Sequence, residues 1–200
     1  MKALLKAIAL ATLATVVSCF AVPSTVGAAG PIHFTTHLKG INEVAPNATR
    51  GTGELTATIS ADRMSITYTL TYSNLEGTSG VGSKRLLFAH FHFGLPREIA
   101  GVMVFLCDNK GMAPPAAGVP ACPDDGTGSG TVSGTITADG VVGPKAQGIL
   151  TEGAGGAAET AADAFGEVLK AIEEGASYTN VHTQTFPGGE IRGQNRRKED

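Results

Sequence analysis

Residues 53–60 set Leu55, Ala57 and Ile59 against Glu54, Thr56 and Thr58. Residues 65–72 do the same with Ile66, Tyr68, Leu70 and Tyr72 against Ser65, Thr67, Thr69 and Thr71. Side chains alternate between the two faces of a strand, so this strict period of two marks half-buried antiparallel strands. A helix would scatter the same apolar residues around its axis. Residues 61–64 fit a hairpin connection between the two. Shorter segments of similar character at 32–39, 86–93, 101–106, 129–137, 147–150, 177–183 and 190–194 are further expected strands. Glycine or proline separates most of them, in keeping with 27 Gly and only 6% aromatic residues in 200. About nine short strands predict a mostly β protein, an antiparallel Greek-key sandwich or barrel.

One segment departs from this pattern. Over 157–174, Ala161, Phe165, Val168, Leu169 and Ile172 recur at intervals of three and four, which predicts an amphipathic helix. Gly153, Gly155 and Gly156 precede it, and Gly175 is placed to end it. Its expected role is to cover one open end of the β structure. A charged tail, 195–200, is expected to fray.

The first 28 residues read as an export signal. Lys2 and Lys6 precede an apolar run at 7–22, and Val26-Gly27-Ala28 offers a small-residue cleavage site. That run is about 16 residues, shorter than the roughly 20 a spanning helix needs. Val16-Val17-Ser18-Cys19 loosely resembles a lipobox, so a lipid anchor at Cys19 is the alternative. Either route makes the mature protein extracytoplasmic, secreted or periplasmic. Loss of Lys2 and Lys6 lowers the 15 basic residues to 13 against 18 acidic, a formal charge of −5. With no basic stripe to meet phosphates, nucleic acid is not an expected partner.

Cys107 and Cys122 then remain as an even pair in an oxidising compartment, where disulfides persist. A bridge would staple a Pro- and Gly-rich loop and contribute roughly 3 kcal/mol in the chain-entropy picture. Free thiols serving catalysis or copper are the alternative. No Ser-His-Asp, P-loop, CxxC or paired-carboxylate pattern stands out. Residues 124–128 lack the alternating acidic spacing of a calcium loop and read as a solvated turn.

Five histidines carry the remaining chemistry. In residues 87–93, parity puts Leu87, Ala89, Phe91 and Phe93 on the core face and Phe88, His90 and His92 on the other. In residues 178–183, Val181 faces inward, so Tyr178, Asn180 and His182 face outward. His90 and His92 on one strand can converge on one ion, and His182 from a neighbour would complete a three-nitrogen site suited to copper or zinc. His37 or His33, four apart on the first strand, could add a fourth ligand. The competing reading is that these are surface histidines satisfied by backbone or carboxylates.

Three further stretches identify a family. They are Leu38-Lys39-Gly40-Ile41-Asn42-Glu43-Val44, Ala89-His90-Phe91-His92, and the C-terminal pair Tyr178-Thr179-Asn180-Val181-His182-Thr183 and Phe186-Pro187-Gly188-Gly189-Glu190-Ile191-Arg192-Gly193-Gln194. Together they resemble the CHRD domain, named after chordin, over about 32–194. The resemblance implies an extracellular β-sandwich, distantly similar to copper/zinc superoxide dismutases, with no settled activity. On the last strand, Glu190 and Arg192 share a face if Ile191 turns inward. Arg192 is then expected to bridge strand carbonyls or to pair with a carboxylate such as Glu43, and Glu190 to be structural, or else a metal ligand or an acceptor for one His nitrogen. Two classes of function follow. One is a binding module with a copper or zinc site. The other is an adhesion or scaffolding module that binds a cell-surface or extracellular protein or a glycan without metal. A superoxide dismutase-like enzyme is the weaker third, because the acidic mature chain offers little to steer an anion.

Overall fold

The computed structural model describes residues 30–76, 86–123, 125–149 and 160–198. The stretch expected to be an export signal, with Cys19 in it, the glycines at 153–156 and the last two residues lie outside them. Among the described residues nine strands form one antiparallel sheet: β1 (Ile32–Lys39), β2 (Thr52–Ile59), β3 (Ile66–Ser73), β4 (Leu86–Phe93), β5 (Val102–Asp108), β6 (Gly130–Ile136), β7 (Ser177–Thr183), β8 (Ile191–Gln194) and β9 (Arg196–Arg197). The order is β5-β4-β7-β8-β1-β2-β3-β6, with β9 on β1. A bridge between Val104 and Val141 brings the β5 edge back toward the chain after β6, so the sheet curls into a nearly closed barrel. The expected β class with one helix is what the chain adopts.

The alternating residues do what their period requires. Leu55, Ile59, Ile66 and Leu70 are fully buried, while Thr56, Thr67, Thr69 and Thr71 face outward. The interior is completed by Phe34, Leu38, Tyr72, Phe91, Met103 and Leu106. At about 1.5–3 kcal/mol for each large apolar side chain removed from water, this cluster is the main source of stability.

The helix α1 (Ala161–Glu173) begins at a capping box: the Thr160 hydroxyl accepts from Asp163 N–H and the Asp163 carboxylate takes Thr160 N–H in return. Ala164, Phe165, Val168, Leu169, Ala171 and Ile172 join the same core cluster as the strands. Gly175 at φ 70° then turns the chain, with Ala176 N–H donating to Ala171 O, and β7 starts two residues later.

Three expectations need correction. Residues 147–149 do not form a strand, and Leu150, the last residue of that expected strand, lies outside the described residues. Lys145–Gln147 is a short 3-10 turn, Gly148 adopts φ 90°, and Ile149 drops into the core. The tail is not free from residue 195. Asn195 is 1% exposed, accepting from the Thr36 and Thr179 hydroxyls and donating to Ser177 Oγ at 2.9 Å, and β9 pairs with β1. Thirdly, Leu86 and not Leu87 takes the core position on β4. Leu86 opposes Thr183 and Phe88 opposes His182, so Leu87 is an extra residue in a β-bulge.

Cys107 and Cys122 are joined in a disulfide. The loop it closes is further organised from within. The Asp108 carboxylate takes four consecutive backbone N–H groups, Lys110 to Ala113, and the Asn109 side chain bonds Leu86 O, Cys122 O and Cys122 N–H.

Candidate metal centre

The outer faces of β4 and β7 carry the site. In the register of this pair, Phe88 lies across from His182, His90 from Asn180 and His92 from Tyr178. Parity places all six on one side of the sheet, and cross-strand neighbours on one side come close enough to touch. The His90 ring centroid is 4.4 Å from that of His92 and 4.6 Å from that of His182. One ligand atom from each of the three lies within 4.8 Å of the others.

Outward-facing does not mean exposed here. His90, His92 and His182 are 3%, 8% and 7% exposed, so these are not surface histidines. Parity assigns a face but is silent on what lies over it. Phe88 stacks against His90 at 5.1 Å and sits 4.8 Å from His182. Phe105 meets His90 edge-on at 5.4 Å. Phe105 reaches that place because β5 carries register shifts against β4 on either side of the His90–Phe105 and Phe91–Val104 pairs. Tyr178 stacks flat on His92 at 4.5 Å. The loop after β4 and the turn before β8 supply the rest of the cover.

Those two loops also orient two rings. His92 Nδ1 bonds Ala100 O at 2.7 Å, and His182 Nδ1 bonds Pro187 O at 2.9 Å. A carbonyl only accepts, so each Nδ1 carries the proton and each Nε2 presents a lone pair. His92 Nε2, His182 Nε2 and His90 Nδ1 are buried and have no hydrogen-bond partner. Burial depresses all three basicities. His92 and His182 are each pushed down to about 4, and His90 lies well below the ordinary imidazole value. The mutual proximity of the rings adds to the effect of burial at His90, and the Arg192 charge adds to it at His92. The three imidazoles are therefore neutral at physiological pH, the state in which histidine ligates a metal.

Buried polar atoms without partners are rare in folded proteins, and three at one point of one structure call for a common explanation. A cation shared by three lone pairs satisfies all of them together. The donor set fits copper or zinc, both of which take imidazole nitrogen.

Other sequence-selected residues fall elsewhere. His33 and His37 do not join the cluster; both are exposed on β1, and His33 Nδ1 contacts Thr58 Oγ1 at 2.9 Å. Neither is a fourth ligand. Glu190 neither joins the three-histidine cluster as a ligand nor accepts from a His nitrogen. It is fully buried and takes the Thr49 and Thr183 hydroxyls, both at 2.6 Å, and Glu76 N–H at 2.7 Å. Nor does it share partners with Arg192, because β8 begins only at Ile191 and strand alternation does not extend back to Glu190.

Arg192 is itself 3% exposed. It donates to Glu98 O at 2.6 Å and Leu95 O at 3.0 Å, which are loop carbonyls and not the strand carbonyls expected. Its guanidinium lies 3.3 Å from the Tyr178 ring centroid, on a ring that itself stacks on His92. Glu43 is within electrostatic reach of Arg192 but accepts its hydrogen bond from Asn180 Nδ2 at 2.6 Å. Burial raises the Glu43 carboxyl to about 7, with Arg192 and Asn180 opposing the rise. Gly193, next on β8, faces the His37 carbonyl so closely that a Cβ would collide with backbone; this glycine lets β8 lie against β1.

No curated protein and no solved structure matches the chain. A family model described as the CHRD domain matches residues 34–195, which takes in β2 to β8 and all but the first two residues of β1, together with α1 and every histidine of the cluster, and stops short of β9. The chain belongs to the CHRD domain family.

Proposed function

We propose that this protein is an exported metal-binding module in which His90, His92 and His182 hold one copper or zinc ion. The observation that carries the reading is the coincidence of three unpartnered, buried ring nitrogens with three rings whose ligand atoms lie within 4.8 Å of one another. The ring orientation set by Ala100 O and Pro187 O supports it, because carbonyls that fix the tautomer are the usual companions of metal-bound histidine. The Cys107–Cys122 bridge and the leader-like first 28 residues support export.

The reading is one of binding, not turnover. None of the three imidazoles is more than 8% exposed, and aromatic rings stand where a substrate would approach. Calorimetric titration of the metal-stripped protein with copper and with zinc tests it. One equivalent is expected to bind, and His182→Gln is expected to weaken binding at least about tenfold, a loss of one good ligand. Absence of binding by either metal tighter than about 10 μM would remove the proposal.

A further inference from the structure

We infer that the three-imidazole site selects monovalent copper, Cu(I), over the divalent ions Zn(II) and Cu(II). The inference rests on the metal-binding reading above and adds the charge of the ion to it. The first reason is the donor set. Among the described residues the cluster contains three neutral imidazoles and no carboxylate or thiolate. The two buried acids among the described residues are committed elsewhere, Glu43 to Asn180 and Glu190 to Thr49, Thr183 and Glu76. No ligand anion therefore offsets the charge of a bound ion.

The second reason is the surroundings. The cost of taking an ion out of water rises with the square of its charge, so a dication in a low-dielectric pocket costs about four times what a monocation does. This pocket is walled by Phe88, Phe105 and Tyr178, and the rings are at most 8% exposed. The formal charge that reaches it is also positive, Arg192 across the Tyr178 ring at 3.3 Å. Like charge adds to the cost of a dication twice as strongly as to that of a monocation.

The third reason is coordination number. Zinc is almost always four-coordinate, and Cu(II) prefers a tetragonal set. With three nitrogens, both need water to complete the shell, and that water would sit against phenyl faces that offer it no hydrogen bond. Cu(I) has a closed d shell, a single charge and no such demand; two or three nitrogen donors suffice.

The test compares two titrations of the stripped full-length protein. Cu(I) is supplied anaerobically from a bicinchoninate buffer and Zn(II) from a nitrilotriacetate buffer. Cu(I) is expected to bind at least about a hundredfold more tightly, two tenfold steps in the dissociation constant. X-ray absorption of the copper form is expected to show a Cu(I) edge and three nitrogen neighbours. Zn(II) binding as tightly as Cu(I) overturns the inference and leaves the metal-binding reading standing. Binding of neither ion overturns both. Phe88→Asp places a carboxylate beside His90 and His182 and is expected to close the gap by at least about tenfold. An unchanged ratio in that variant, if folded, contradicts the charge argument, and the unmodified chain decides the question if the variant does not fold.

Discussion

Acidifying the metal-free protein should weaken it sharply, by an amount the buried histidines set. His92 and His182 titrate near 4 in the folded protein and near 6.5 in the unfolded chain. As pH falls below about 6.5, protons bind the unfolded chain and not the folded one, so stability that is complete above that point is lost down to about 4. At about pH 5 each histidine has crossed roughly 1.5 units, worth about 2 kcal/mol at 1.36 kcal/mol per unit. His90, buried more deeply and displaced in the same direction, adds to the roughly 4 kcal/mol of the other two. Glu43 works the other way. Its folded value of about 7 lies above the 4.5 of a free glutamate side chain, so the folded state takes the proton first as pH falls through 7. That returns about 2–3 kcal/mol by about pH 5. The remaining loss of about 1–2 kcal/mol, to which His90 adds, is a substantial share of the roughly 5–15 kcal/mol of an ordinary domain. Urea unfolding of chelator-treated protein, followed by circular dichroism because the chain has no Trp, measures it at about pH 8 and about pH 5. Glu43→Gln should deepen the loss by removing the offset. Equal stability at the two pH values, or greater stability in acid, refutes the reasoning.

Arg192→Lys should lower the melting temperature by about 5–10 °C, since two charge-assisted bonds to Leu95 O and Glu98 O lose their fork geometry. Metal affinity should stay within about threefold of the parent; weaker metal binding at an unchanged melting temperature would contradict a structural role. Replacing Cys107 and Cys122 together with alanine should cost about 3 kcal/mol, the loop entropy of a separation of 15, and a loss near zero in urea titration would show that Asp108 and Asn109 hold the loop unaided. Ala45 sits at φ 65°, so Ala45→Gly should raise stability by about 0.5–1 kcal/mol; a decrease in the urea midpoint would count against it.

The strands at 32–39, 86–93 and 177–183 have the bounds that alternation implies, because period two follows directly from the pleat. Parity also placed His90, His92 and His182 on one side. The depth of their burial was not legible. It depends on Phe105, which a bulged neighbour strand aims at His90, and on the loops that carry Ala100 and Pro187. Bulges insert single residues and leave no periodic trace, which is also why Leu87 looked like a core residue. β9 escaped notice for a related reason. Arg196 and Arg197 pair through their backbones while their side chains stay in water, so nothing apolar announces them.

That last pairing brings the two ends of the described fold side by side, with Lys198 N–H donating to His33 O at 2.9 Å. Adjacent ends make the barrel a natural subject for circular permutation. A short Gly/Ser link from Lys198 to Gly30 with a new opening in the 61–64 hairpin would leave β4, β7 and their loops covalently intact.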